Sequence, residues 1–163
     1  MANFLSEGLA AGQPAIAIAT PMHRAGIAAH LATQSVDCAQ LQATGMLTML
    51  DAGETLAQFM VDGTPDHLRF RRAPVPAIEA ASGGRPYVTV RAYGEMVDVL
   101  WKAGQTVAAC RLEALWNALA NTHAFSLLCG YAMDNFYKDA AVDEICSHHS
   151  HVVSSTGAAA AVT

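Results

Sequence analysis

Short apolar runs bounded by turn residues alternate along this chain with longer stretches whose apolar residues recur every three or four positions. The first run, Pro14-Ala15-Ile16-Ala17-Ile18-Ala19-Thr20, lies between Gly12-Gln13 and Pro21, and its length and punctuation predict a buried strand. Residues 23–33 predict a helix with Ile27 and Leu31 on one face, Thr20 as its cap and Pro21 at its first position. Met46-Leu47-Thr48-Met49-Leu50 predicts a second strand. Asp51 ends it and caps a helix over 52–60, where Leu56, Phe59 and Met60 share a face. Turn residues cluster at 62–66, where Asp66 caps a further helical stretch, and again at Ser82-Gly83-Gly84-Arg85-Pro86. Tyr87-Val88-Thr89-Val90-Arg91-Ala92-Tyr93 alternates and is β-branched, which predicts a third strand. Helices follow over 95–102, ended by Gly104, and over 107–121, where Ala108, Leu112, Leu115 and Leu119 form one face and Arg111 and Glu113 lie off it. Residues 125–131 predict a fourth strand and 134–148 a last helix.

Strands alternating with helices predict an α/β fold, with a mostly parallel central sheet flanked by helices on both faces. The pattern fills one domain over 1–153, and 154–163, rich in Ala, reads as a flexible tail or the start of a linker. Ligands of such sheets sit outside the carboxyl ends of the strands. That rule makes Thr20, His23, Arg24, Asp51, Arg91, Glu95 and Tyr131 the candidate ligand-binding residues. Trp101, Trp116 and Phe125 read as core, and so does the ring of Tyr131.

Composition narrows the classes. A chain of 163 residues can bury a core without a metal or disulfide staple. With 53% apolar and 14% charged residues it is not disordered, and a face covered by a second copy is expected, hence a homodimer. Net charge is -5, and the one basic cluster, Arg69, Arg71 and Arg72, is too small to argue for direct nucleic-acid binding. The longest uncharged stretch, 114–133, holds Asn117, Asn121, Thr122, His123 and Gly130, so no membrane span is expected. No Lys or Arg precedes the first apolar run, as a secretory signal would require. The four cysteines, Cys38, Cys110, Cys129 and Cys146, form no CxxC pair and read as buried thiols of a cytoplasmic protein.

Candidate chemistry is sparse. The turn over 20–26 stands where a phosphate-binding loop would, but it lacks the glycine run and the lysine that wrap and neutralise phosphate. An ordinary strand-to-helix turn is the preferred reading. Asp51 and Glu95 follow different strands and could meet in one crevice as acid and base or around a cation, with Glu54, Asp98 and Glu113 nearby. Helix capping by Asp51 and dipole stabilisation by Glu95 are the commoner roles and are preferred. Cys146-Ser147-His148-His149-Ser150-His151 is the densest set of soft ligands. Cys146 and His149 share a helical face and are weak metal candidates, because their spacing matches no standard zinc pattern. Cys129, in an apolar strand, is expected to be unreactive, and Cys146, beside histidines, is the more reactive thiol. There is no G-x-S-x-G elbow and no local hydrolase signature, so no enzyme is expected and no cofactor can be named.

Several phrases occur in the order of one family: Phe4-Leu5-Ser6-Glu7-Gly8-Leu9, Leu50-Asp51-Ala52-Gly53-Glu54-Thr55-Leu56 on to Gly63, Tyr93-Gly94-Glu95-Met96, Leu112-Glu113-Ala114-Leu115-Trp116-Asn117, and Leu127-Leu128-Cys129-Gly130-Tyr131. Together they resemble the MEDS domain, a methanogen/methylotroph, DcmR sensory family of prokaryotic signalling proteins. The closing Cys146-Ser147-His148-His149 is similar to that family's ending. The resemblance implies a RecA/KaiC-like fold with a degenerate phosphate loop. It also implies partnership with a histidine kinase or DNA-binding regulator module, and sensing of small organic molecules such as one-carbon and hydrocarbon derivatives. The expected function is therefore non-catalytic small-molecule sensing in prokaryotic signal transduction or transcription regulation. Ligand at the strand ends would favour one arrangement of the loops after Thr20, Asp51 and Tyr93. The alternatives are a nucleotide- or cation-binding enzyme remnant using Asp51 and Glu95, and a pure protein-interaction module whose crevice is filled by its own side chains.

Overall fold

The computed structural model describes residues 1–85, 88–132 and 149, together with the backbone of 151–153 and 159–161. The expected helix over 134–148, including Cys146, lies outside the described residues, as do Tyr87 and most of the expected tail.

Four strands make a parallel sheet: β1 (Ala15–Ala19), β2 (Leu47–Asp51), β5 (Val90–Gly94) and β6 (Phe125–Cys129), in the order β2-β1-β5-β6. β1 is buried at every position because it is central and covered on both faces. Its alternation sorts the two cores. Ile16 and Ile18 face a large cluster with α4 (Ala52–Ala57), α6 (Pro74–Ser82), α7 (Met96–Lys102) and α8 (Thr106–Ala120). Ala15, Ala17 and Ala19 face a smaller one with α1 (Ala2–Ala10), α2 (Pro21–Thr33), Leu47 and Tyr93. Alanine on that side lets Leu5, Ile27 and Leu31 reach the sheet with no room to spare, and all three are at most 1% exposed.

The elements between β2 and β5 depart from the sequence expectation. The helix after Asp51 stops at Ala57, and Met60 belongs to a strand instead. Phe59 turns fully into the core, and the chain reverses in a hairpin of β3 (Met60–Val61) and β4 (Thr64–Pro65). Asp62 and Gly63 carry the two positive φ angles, 48° and 74°, of the tight turn. That conformation suits Asp-Gly and matches the strand twist. Asp66 caps α5 (His67–Phe70), its carboxylate accepting from the Arg69 amide at 2.8 Å. In α6 the prolines fall in the first turn, where their missing N–H costs nothing. Three elements were not foreseen as separate helices: α1, α3 (Cys38–Ala43) and α6. β5 starts at Val90 rather than at 87 and runs on to Gly94. Beyond the main sheet, β7 (His151–Val153) pairs antiparallel with β8 (Ala159–Ala161).

The strand order fixes where a site can form. From β1 the chain leads through α2 to β2 on one side; from β5 it leads through α7 and α8 to β6 on the other. The direction of winding therefore reverses between β1 and β5, the place where sheets of this kind bind ligands outside the strands' carboxyl ends.

A polar band at the carboxyl end of the sheet

Two buried glutamates anchor this end. Glu95 follows β5 and is 2% exposed; Glu113, on α8, is 1% exposed.

Glu95 sits at the switch point. Its Oε2 accepts from the Thr20 amide at 2.8 Å and from the Thr20 hydroxyl at 3.1 Å. Its Oε1 accepts from the Tyr93 hydroxyl at 2.6 Å, and His23 Nδ1 approaches the same oxygen to 2.5 Å as an ion-pair contact rather than an aligned hydrogen bond. The sequence expectation gave Glu95 the dipole of the helix it precedes. It makes no capping bond to α7 and instead accepts the first free amide of α2, across the crevice. Thr20, for its part, leaves α2 without a side-chain cap because its hydroxyl is turned to Glu95. Burial, then the bond to Glu95 and its charge, push the Tyr93 hydroxyl far above the usual tyrosine range.

Asp51 and Arg24 flank this centre. Asp51 caps α4 through the Glu54 amide at 3.0 Å and accepts from Arg24 Nη2 at 2.9 Å. The Glu54 amide, and to a lesser extent the Arg24 guanidinium, hold its carboxyl below the ordinary range. Asp51 and Glu95 thus grip consecutive side chains, Arg24 and His23, of one helix turn. Asp98, in the first turn of α7, pairs with Lys102 at 2.6 Å and accepts from the Ala132 amide at 3.0 Å, tying down the segment after β6.

Glu113 forms the second centre, on the α8 face. Its spacing sets it off the apolar face of its helix, yet it is among the most buried side chains of the described residues, a buried hydrogen-bond partner as its place inside Leu112-Glu113-Ala114-Leu115-Trp116 leads one to expect. Cys129 Sγ donates to its Oε2 at 3.6 Å, the Tyr131 hydroxyl makes a short bond to its Oε1, and His149 Nε2 lies 3.5 Å from that oxygen. The Tyr131 and His149 rings meet edge-on at 6.1 Å. Burial and then the Glu113 charge push the Cys129 thiol well above its usual range, and the Tyr131 hydroxyl is raised by the same causes. The two centres touch at Gly130, whose amide donates to Gly94 at 2.9 Å; a methyl there would collide with the Tyr93 hydroxyl on its way to Glu95.

Of the sequence candidates, Thr20, His23, Arg24, Asp51 and Glu95 come together at the switch point. Tyr131 belongs to the Glu113 centre. Arg91 stands apart. It pairs in register with Ala15, at the amino end of the sheet, because β5 begins three residues later than its alternation predicts. There it donates to Gln13 at 2.7 Å, stacks on Phe4 at 4.9 Å and fills the space left by Gly8, which docks α1. Cys146 lies outside the described residues, while His149 finds Glu113 and Cys129. Cys129 is not a candidate from sequence, and Glu113 is one only as a carboxylate near Asp51 and Glu95. The sequence offers one signal, a charged residue embedded in Leu112-Glu113-Ala114-Leu115-Trp116 on the longest of the described helices.

A parallel sheet covered on both faces, with an internal carboxylate bonded across its switch point, defines an α/β domain. Residues 1–150 match the sequence model of MEDS, the MEthanogen/methylotroph, DcmR Sensory domain, and the chain belongs to that family of sensory domains. No curated protein and no solved structure matches the chain. Among the described residues no helix is long and apolar enough to cross a membrane.

Proposed function

We propose that the domain senses a small organic molecule, neutral or cationic, at the β1–β5 crevice and passes the signal through the first turn of α2. The observation that carries this reading is the Glu95 carboxylate on the Thr20 amide. In a nucleotide-binding loop that amide faces phosphate. Here a buried acidic side chain occupies the place and repels a second anion. A RecA/KaiC-like ancestry with a degenerate phosphate loop accords with this substitution, and the reading takes the domain as non-catalytic.

A ligand that hydrogen-bonds to His23 or displaces it from Glu95 loosens the grip on α2. His23 is the exposed member of the centre, with 36% of its side chain accessible, and Met22 beside it is 73% exposed. An exposed methionine next to the switch gives a partner a surface to read, whether a histidine kinase, a DNA-binding regulator module or a second copy of this chain. The expected state of the free domain is dimeric and cytoplasmic.

A thermal-shift panel tests the reading. Short alcohols, amines, aldehydes and halogenated one-carbon compounds are compared with ATP and Mg2+. At least one of the organic compounds is expected to raise the Tm of the wild-type chain and not that of His23→Ala. A shift with ATP that His23→Ala preserves would support the nucleotide-binding remnant instead.

A further inference from the structure

We propose that Glu113, Cys129 and His149 form a site for a late first-row divalent cation such as Zn2+, separate from the switch-point crevice. One ligand atom from each lies within 4.8 Å of the other two. A tetrahedral ion with bonds of about 2.3 Å to sulfur and about 2.0–2.2 Å to nitrogen or oxygen has ligand-to-ligand edges of about 3.4–3.6 Å. The Cys129 Sγ to Glu113 Oε2 separation is 3.6 Å and the His149 Nε2 to Glu113 Oε1 separation is 3.5 Å. Each is close to such an edge, the two running to the two oxygens of the one carboxylate, and the nitrogen contact is long for a strong hydrogen bond.

The donor set selects the metal class. A thiol sulfur, an imidazole nitrogen and one carboxylate suit Zn2+ and its neighbours, not Mg2+ or Ca2+, which require oxygen. The residues arrive from a helix, a strand and the segment beyond it, so binding joins parts far apart in sequence. Tyr131 bonds to Glu113 Oε1 and is placed to orient the carboxylate as an outer-shell partner. Three protein ligands leave the fourth position to water or a small donor molecule.

The site was missed from sequence because Glu113 sits on an amphipathic helix and Cys129 in an apolar strand, sixteen positions apart. The cluster over 146–151 supplied one true member of the constellation, His149, but not its partners.

Co2+ is the probe, added to the full chain after chelator treatment. The wild type is expected to bind Co2+ stoichiometrically with a thiolate-to-cobalt charge-transfer band. That band is expected to vanish in Cys129→Ser and persist in Cys38→Ser and Cys110→Ser. Glu113→Gln and His149→Ala are expected to weaken Co2+ binding by more than the roughly 10–100-fold cost of losing an outer-shell group. Far-UV circular dichroism checks that each variant is folded, and His149→Ala, at a half-buried position, keeps the test open if a core variant is not. Absence of Co2+ binding by the wild type overturns the proposal. So does a band that survives Cys129→Ser, including one lost in Cys146→Ser instead.

Discussion

Replacing Glu95 with alanine is expected to lower the unfolding free energy by about 3–5 kcal/mol, the usual cost of deleting one partner of a buried polar cluster. The direct losses are three hydrogen bonds, from the Thr20 amide, the Thr20 hydroxyl and the Tyr93 hydroxyl. The larger part comes from what remains. Tyr93 is 3% exposed, so its hydroxyl has no water to turn to, and the Thr20 amide at the start of α2 loses its acceptor. Glu95→Gln retains the shape and one acceptor oxygen, so it is expected to cost about 1–3 kcal/mol, the range for leaving single groups unsatisfied. Urea midpoints at constant m-value measure both. An alanine variant as stable as wild type would mean that the carboxylate's desolvation cancels its bonds and that Glu95 does not hold the crevice closed.

Trp116→Ala is expected to cost a similar amount, about 3–5 kcal/mol, by a different route: a cavity in the larger core. Trp116 is 2% exposed and meets Phe70 edge-on at 5.1 Å and Phe125 at 6.0 Å. Phe70 in turn meets Phe59 edge-on at 5.3 Å. This aromatic row joins α8 and β6 to α5 and the residue before β3. Truncating its middle ring removes packing on two sides at once. Trp116→Phe keeps a ring for Phe70 to meet and is expected to cost less. Thermal or urea unfolding of both variants checks the order; equal stability of Trp116→Ala and wild type would contradict it.

The parts of the fold that alternate or punctuate strongly were legible. Ala15-Ile16-Ala17-Ile18-Ala19 between Pro14 and Pro21 leaves little but a central strand, and Thr20-Pro21 starts α2 where expected. Asp51 and Asp66 announced themselves as caps because a short acceptor just before a helix has few other uses. What escaped depends on contacts distant in sequence. Arg91 was assigned to the wrong end of the sheet because apolar alternation continues upstream of the paired residues, and only pairing with β1 decides where the strand begins. Met60 continues a helical pattern on paper, but burying Phe59 and turning at Asp62-Gly63 is the better use of the segment. Glu113 lies off the apolar face of its helix by spacing, and only its place inside Leu112-Glu113-Ala114-Leu115-Trp116 points to a buried hydrogen-bond partner, as it proves to be. Its burial makes sense once Cys129, Tyr131 and His149 are seen around it, and no spacing rule links those four positions.

A similar logic separates Asp51 from Glu95. Both follow strands and both reach the first turn of α2, so the expectation that they share a crevice was geometrically sound. Each is engaged by its own donors, however: Asp51 by Arg24 and a helix amide, Glu95 by Thr20, Tyr93 and His23. The arrangement resembles a latch with two fingers on one helix more than an acid and a base facing a substrate. In the proposed mechanism, releasing one finger would alter the position of α2 with no bond made or broken in the ligand.

The ligand proposed for the crevice is a small organic molecule and not a nucleotide. A native mass spectrum of gently purified protein tests it most directly, read against the 17.1 kDa chain mass. The expected result is an organic adduct smaller than a nucleotide, lost on denaturation and absent from His23→Ala. An adduct of nucleotide mass, or a wild-type chain that stays bare after incubation with the organic panel, would contradict it.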